Sequence, residues 1–172
     1  MLLGFALFWV GAVLCLNGIW IIGGIDDNEI SVIDVFVGTI ALLVALYWAF
    51  GPGATLASVK GAALTLLFAF TYYWVAWNRW NKADGRGLGW FCLFVAITTI
   101  PVFIQGFSTA TTVWDVWFAI CWVSWGILWF LFFLLLAIPM PRIAKATGII
   151  CALQGVYTGW IPGYLLLSGV LH

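Results

Sequence analysis

Six long apolar stretches separated by short polar turns occupy the chain from end to end, and nothing else in the sequence limits its fold so strictly. They are Leu2–Gly23, Val32–Phe50, Gly61–Trp80, Leu88–Gln105, Val116–Ile138 and Ile143–Leu167. About 20 apolar residues cross the hydrocarbon core of a bilayer as a helix. Lipid cannot satisfy exposed backbone groups, so a helix is the form such a segment takes there. The separators IDDNEIS, GPGATLASVK, NKADGRG, FSTATTVWD and PMPR are short enough to make neighbouring helices antiparallel. The expected fold is therefore all-α and integral to the membrane, a single domain over residues 1–172. No stretch remains for a soluble catalytic or nucleic-acid-binding domain. The first span lacks a basic lead-in and a small-residue cleavage site, so it reads as a permanent helix rather than a signal peptide.

Charge sets the orientation. Only 7% of residues are charged, six of each sign, against about 25% in a soluble domain. Turns one, three and five carry Arg79, Lys82, Arg86, Arg142 and Lys145, whereas turns two and four carry only Lys60. The positive-inside rule then places the odd turns in the cytoplasm and both termini outside. Acidic Asp26, Asp27 and Glu29 in the first turn weigh little in that rule.

Aromatic residues exceed what two interfacial belts require: 13 Trp and 14 Phe. Some rings must lie between helices. Helices one, three and five each carry an inward stripe at helical spacing: Leu7, Val10, Leu14 and Asn17; Phe68, Thr71, Tyr72 and Ala76; Trp122, Trp125, Leu128 and Trp129. Three similar antiparallel hairpins packed about a local axis would bring these faces together. Ordinary helix packing would produce the same spacing, so the stripes alone leave both readings open. Cys15, Cys92, Cys121 and Cys151 fall inside apolar stretches without CxxC spacing and read as small buried hydrophobes.

The spans are expected to hold no Asp, Glu, Lys, Arg or His at depth, which argues against ion pathways and proton relays. The one histidine, His172, ends the chain, so haem and metal sites are not expected, nor any other cofactor. Buried hydroxyls without a neighbouring base argue against an enzyme. What remains at depth is neutral and polar: Asn17, Thr71, Tyr72, Thr98, Thr99, Ser124, Gln154 and Thr158. Such groups among flat rings suit a small planar neutral solute and offer nothing to replace an ion's hydration shell. Ser124 and Thr99 fit interhelical hydrogen bonding better; Asn17, Tyr72 and Gln154 fit the lumen. In the last helix Gln154, Thr158 and Pro162 share a face at i, i+4 and i+8, and Pro162 is expected to free the carbonyl of Thr158.

Five stretches carry a resemblance: VGxVLxxNG (Val10–Gly18), LFxxTYxxxAxN (Leu67–Asn78), LFVAIxTxP (Leu93–Pro101), WxxWGxLW (Trp122–Trp129) and TxWIP (Thr158–Pro162). In these the chain resembles the bacterial amide/urea channel family, AmiS/UreI, over essentially its whole length. The resemblance implies a protomer of three repeated hairpins in the bacterial cytoplasmic (inner) membrane. It implies six such protomers around a lipid plug, each with its own pore for urea or short-chain amides. Carried onto this chain, the lining comprises Leu7, Val10, Leu14, Phe68, Tyr72, Trp122, Trp125, Leu128 and Trp129, with Asn17 as a polar contact at one end. With the polar residues read above, the candidate lining also includes Thr71, Gln154 and Thr158.

Two departures matter. Acid-gated members resemble one another in a long histidine-rich external loop, where this chain has GPGATLASVK, with no histidine or carboxylate. They also carry a glutamate in the sixth helix where Gln154 stands. Both departures point to passive amide or urea passage without acid gating. The competing readings are a non-transporting structural subunit, whose aromatic faces bind partner helices, and a coupled transporter. The latter would need ion sites or broken helices.

Overall fold

The computed structural model describes Met1–Leu171; the expectations for His172 lie outside the described residues. Six helices are long and apolar enough to cross a membrane. They are α1 (Leu2–Ile21), α2 (Asp27–Phe50), α3 (Leu56–Asn81), α4 (Arg86–Thr109), α5 (Val113–Leu136) and α6. The last enters through a 3₁₀ turn at Pro141–Ile143. It is α-helical over Ala144–Gln154, π-helical over Gly155–Trp160 and α-helical again over Ile161–Leu167.

Several helices start ahead of their apolar stretch because a polar residue caps them. The Asp26 carboxylate accepts from Asn28 N at 2.9 Å, so α2 begins at Asp27. Thr55 with Ser58, and Thr112 with Asp115, form reciprocal capping boxes at the starts of α3 and α5. Before α4, Gly85 adopts φ 79°, a left-handed conformation that glycine accepts without strain. There Asp84 accepts from the backbone N–H of Arg86 at 3.0 Å and from its Nε at 2.7 Å. These bonds hold the Asp84 carboxyl below the usual carboxylate range.

The earlier start of α2 changes the reading of its interior. Taken as opening at Val32, the span leaves Asp34 beside the acidic turn. In the structure two turns of helix precede Asp34, which faces α1 and is fully buried. The expectation of spans without a buried ionisable group is therefore corrected: Asp34 is one.

The helices pack most extensively as α2 with α3, α4 with α5, and α6 with α1. The close pairs are thus offset by one helix from the hairpins that inward stripes on helices one, three and five suggest, and the third pair joins the two ends of the chain. Glycines make that joint. A Cβ on Gly155 would sit 2.7 Å from Cys15 N, and those on Gly11 and Gly159 would sit closer still to opposing backbone. Only hydrogen lets the two backbones approach so far, as in other small-residue helix contacts. Cys151 and Cys15 add thiol contacts to the carbonyls of Leu14 (3.3 Å) and Ala152 (3.4 Å). All four cysteines are free.

The π segment alters which carbonyl Pro162 releases. Expected α-helical bonding frees Thr158, four residues back. In π register the partner is five residues back, so the carbonyl released is that of Tyr157, and Trp117 Nε1 donates to it at 3.1 Å.

Candidate functional site

Among the described residues, cavities lie inside the bundle towards both ends. The one at the end of turns one, three and five has a volume of about 80 Å³ and is lined by Leu14, Asn17, Thr71, Tyr72, Asn78 and Arg79 among others. The second, at the end that holds the N-terminus and turns two and four, measures about 540 Å³ and includes Leu7, Val10, Lys60, Gln105, Asp115 and Trp122. Phe68 and Trp125 line both. These two rings form the partition between the cavities. Their centroids are 5.0 Å apart at 85°, an edge-to-face pair.

The partition is built from α3 and α5 together. Phe68 also packs on Trp129 (4.7 Å) and Trp122 (6.1 Å), and Trp122 lies edge-on to Trp125 at 5.1 Å. Indole N–H groups buried in such a cluster need acceptors. Trp125 Nε1 donates to Thr158 Oγ1 at 2.8 Å, and Trp129 Nε1 to Thr71 Oγ1 at 3.2 Å. Each threonine in turn donates to a carbonyl four residues back on its own helix, Thr158 to Gln154 O (2.6 Å) and Thr71 to Leu67 O (2.7 Å). Gln154 Nε2 donates to Ser124 O at 2.9 Å, tying α6 to α5.

Of the thirteen candidate lining residues, eleven border one cavity or both: Leu7, Val10, Leu14, Asn17, Phe68, Thr71, Tyr72, Trp122, Trp125, Leu128 and Trp129. Gln154 and Thr158 border neither. Both are buried, and Thr158 Oγ1 and Gln154 Nε2 bond to Trp125 and to the Ser124 carbonyl of α5. Ser124 and Thr99 bond to carbonyls of their own helices, and Thr99 fills the notch left by Gly126 on α5.

Several lining residues escape the sequence reading. Asn78 and Arg79 continue the Thr71–Tyr72–Val75 face of α3 by one more turn, so extending the stripe would have found them. Arg79 pairs with Asp27 at 3.5 Å and lies 5.2 Å over the Trp20 ring, whose Nε1 donates to Asp27 at 2.7 Å. At the opposite end Lys60 bonds to Gln105, and Asp115 accepts from Thr111 and Thr112. Charged lining residues thus sit near the two mouths, with none at the partition.

Several buried polar atoms have no hydrogen-bond partner among the described residues. They include Asn17 Oδ1, Tyr72 OH and Gln154 Oε1. Asn17 and Tyr72 border the smaller cavity. Unpartnered groups of this kind are costly, unless water or a solute meets them. Among the described residues no group of three His, Cys, Asp or Glu is placed to hold a metal ion. Uncharged donors and acceptors on an aromatic wall can hydrogen-bond a neutral planar molecule. They cannot repay the desolvation of an ion.

Comparison with known proteins gives a consistent result. The family model described as AmiS/UreI family transporter matches residues 2–170. A protein of Mycolicibacterium smegmatis named as an amidate substrates transporter is 36% identical over 166 residues, covering 96% of this chain and 76% of its own. The acid-activated urea channel of Helicobacter pylori is 34% identical over 191 aligned positions, covering 96% of this chain and 97% of its own. The cryo-electron-microscopy structure of the H. pylori urea channel in its closed state superposes with a TM-score of 0.85 at 34% identity, covering 99% of this chain and all of that one.

Proposed function

The chain belongs to the AmiS/UreI transporter family, and from that premise we propose that it is a passive channel for urea and short-chain aliphatic amides, without acid gating. The family is one of channels and transporters, not enzymes. The observation that carries the proposal is the pair of cavities divided by Phe68 and Trp125. A planar amide can slide between ring faces and exchange its water for Asn17, Thr71 and Tyr72, while a hydrated ion meets a desolvation cost with no compensating charge at the partition.

The absence of acid gating rests on the second turn. It is short and has no histidine, the side chain that ordinarily changes charge between about pH 5 and 8. The alignment with the acid-activated relative runs to 191 positions against 172 residues here, so that relative carries residues without a counterpart. In this reading the turns rich in Arg and Lys face the cytoplasm, both termini lie outside the inner membrane, and the protomers assemble as a homo-hexamer, each with its own pore lined as described above.

Stopped-flow light scattering on proteoliposomes tests the proposal, with urea, acetamide, formamide and glycerol at about pH 5 and about pH 7.5. Urea or a small amide should equilibrate faster than in empty liposomes and at similar rates at both pH values. No acceleration for any amide or urea refutes the channel and favours a structural subunit. Steep acid activation refutes the ungated reading alone.

A further inference from the structure

Asp34 is 0% exposed and stands on α2, behind the wall of the smaller cavity rather than in its lining. Among the described residues its one side-chain partner is Asn17 of α1, whose Nδ2 donates to Asp34 Oδ1 at 2.9 Å, while Asp34 Oδ2 has none. Asn17 itself borders the cavity and is 5% exposed, and its Oδ1 has no protein partner among the described residues. An amide side chain presents a donor on one branch and an acceptor on the other, and either branch can face the cavity. As a carboxylate, which accepts only, Asp34 takes the NH₂ branch through Oδ1. The carbonyl branch is then the one left free.

We propose that Asp34 is a positioning residue that fixes the rotamer of Asn17, so that the inner end of the pore presents an oriented acceptor to the N–H donors of a permeating urea or amide. This rests on the channel reading above and adds the origin of a selectivity. Urea and primary amides carry N–H groups that an acceptor recognises, and the neighbouring Tyr72 hydroxyl, likewise unpartnered, can serve their carbonyl. Water is small enough to pass either orientation of Asn17. The ratio of urea to water permeability therefore reports the orientation and does not depend on how many channels are reconstituted.

Three variants are compared with the wild type in proteoliposomes by stopped-flow light scattering: Asp34→Leu, Asn17→Leu and the double variant. Loss of one oriented hydrogen bond should lower the urea-to-water ratio about fivefold in Asp34→Leu. The same loss is expected in Asn17→Leu, with no further fall in the double variant, because Asp34 acts only through Asn17. Asp34→Asn keeps the shape and carries the test if the leucine variant does not assemble. Its amide can hold Asn17 in either orientation, so the ratio should fall only about twofold. A wild-type ratio in Asp34→Leu or Asp34→Asn overturns the proposal, as does an additive loss in the double variant. Either result leaves the channel reading intact, provided the wild type conducts urea. A wild-type protein that speeds no solute removes both.

Discussion

Replacing Thr158 with valine removes a hydroxyl that is fully buried and borders neither cavity, yet it should change what the pore admits. Thr158 Oγ1 accepts from Trp125 Nε1 at 2.8 Å and donates to Gln154 O at 2.6 Å. Valine matches the shape of threonine and supplies neither bond. A buried donor left unmatched costs about 1–3 kcal/mol in soluble proteins. Side-chain hydrogen bonds within membranes measure about 0.6 kcal/mol on average and at most about 1.7 kcal/mol. We take about 1 kcal/mol for the indole, which raises the population of other Trp125 orientations about fivefold. Trp125 is half of the partition that both cavities share, so a looser ring should admit the bulkier solute more readily. The acetamide-to-urea permeability ratio should rise about two- to fivefold in Thr158→Val, within the range that bond strength permits. Thr158→Ser, which retains both bonds, should behave as wild type. Stopped-flow scattering gives the ratio, and thermal unfolding in detergent gives the stability. An unchanged ratio in a measurably destabilised Thr158→Val protein refutes the reasoning, since the bond would then be structural without governing the partition.

Three other outcomes are expected. Gly159→Val should prevent assembly, because its side chain would enter the backbone of α1 at Gly11 and the overpacking has no flexible neighbour to absorb it; a protein that elutes and melts like wild type contradicts the close seam. Tyr72→Phe removes a hydroxyl with no partner among the described residues and should leave the unfolding temperature nearly unchanged while slowing urea, which separates a role in the lumen from a role in folding. Asp84 is held below the usual carboxylate range, so its contribution is present at neutral pH and disappears as pH falls through its folded-state value; the difference in unfolding temperature between wild type and Asp84→Asn should persist at neutral pH and vanish in strong acid.

How much of this was legible in the residues follows from what each signal measures. Apolar length gives the six helices, because lipid demands a full span of them. The stripes on α1, α3 and α5 are legible because residues that border one space must recur at helical spacing. Asp34 is not legible in that way: a carboxylate close to a polar turn looks solvated until the cap at Asp26 moves the helix start upstream. Gln154 and Thr158 have the right chemistry for a lumen, but polarity alone does not separate a group that faces solute from one that holds a ring. The π segment hides for a related reason, since a proline announces a freed carbonyl without saying which register surrounds it. The glycine seam was open to view in Gly4, Gly11 and Gly18, and in Gly155, Gly159 and Gly163. Its regular spacing was a packing signal that the aromatic stripes overshadowed.

That seam also dictates an order in time. Of these six helices α1 is made before α6, with four helices between them, yet each is the other's tightest neighbour. Until α6 is made, the glycine face of α1 lacks the helix it packs against in the folded protein. Closure waits until α6 arrives and long-range contact becomes possible, the slow kind of step in folding. The seam between α1 and α6 therefore forms only once α6 has been made, and a chain cut before α6 lacks the backbone contacts of Gly155 and Gly159 that hold α1 in place.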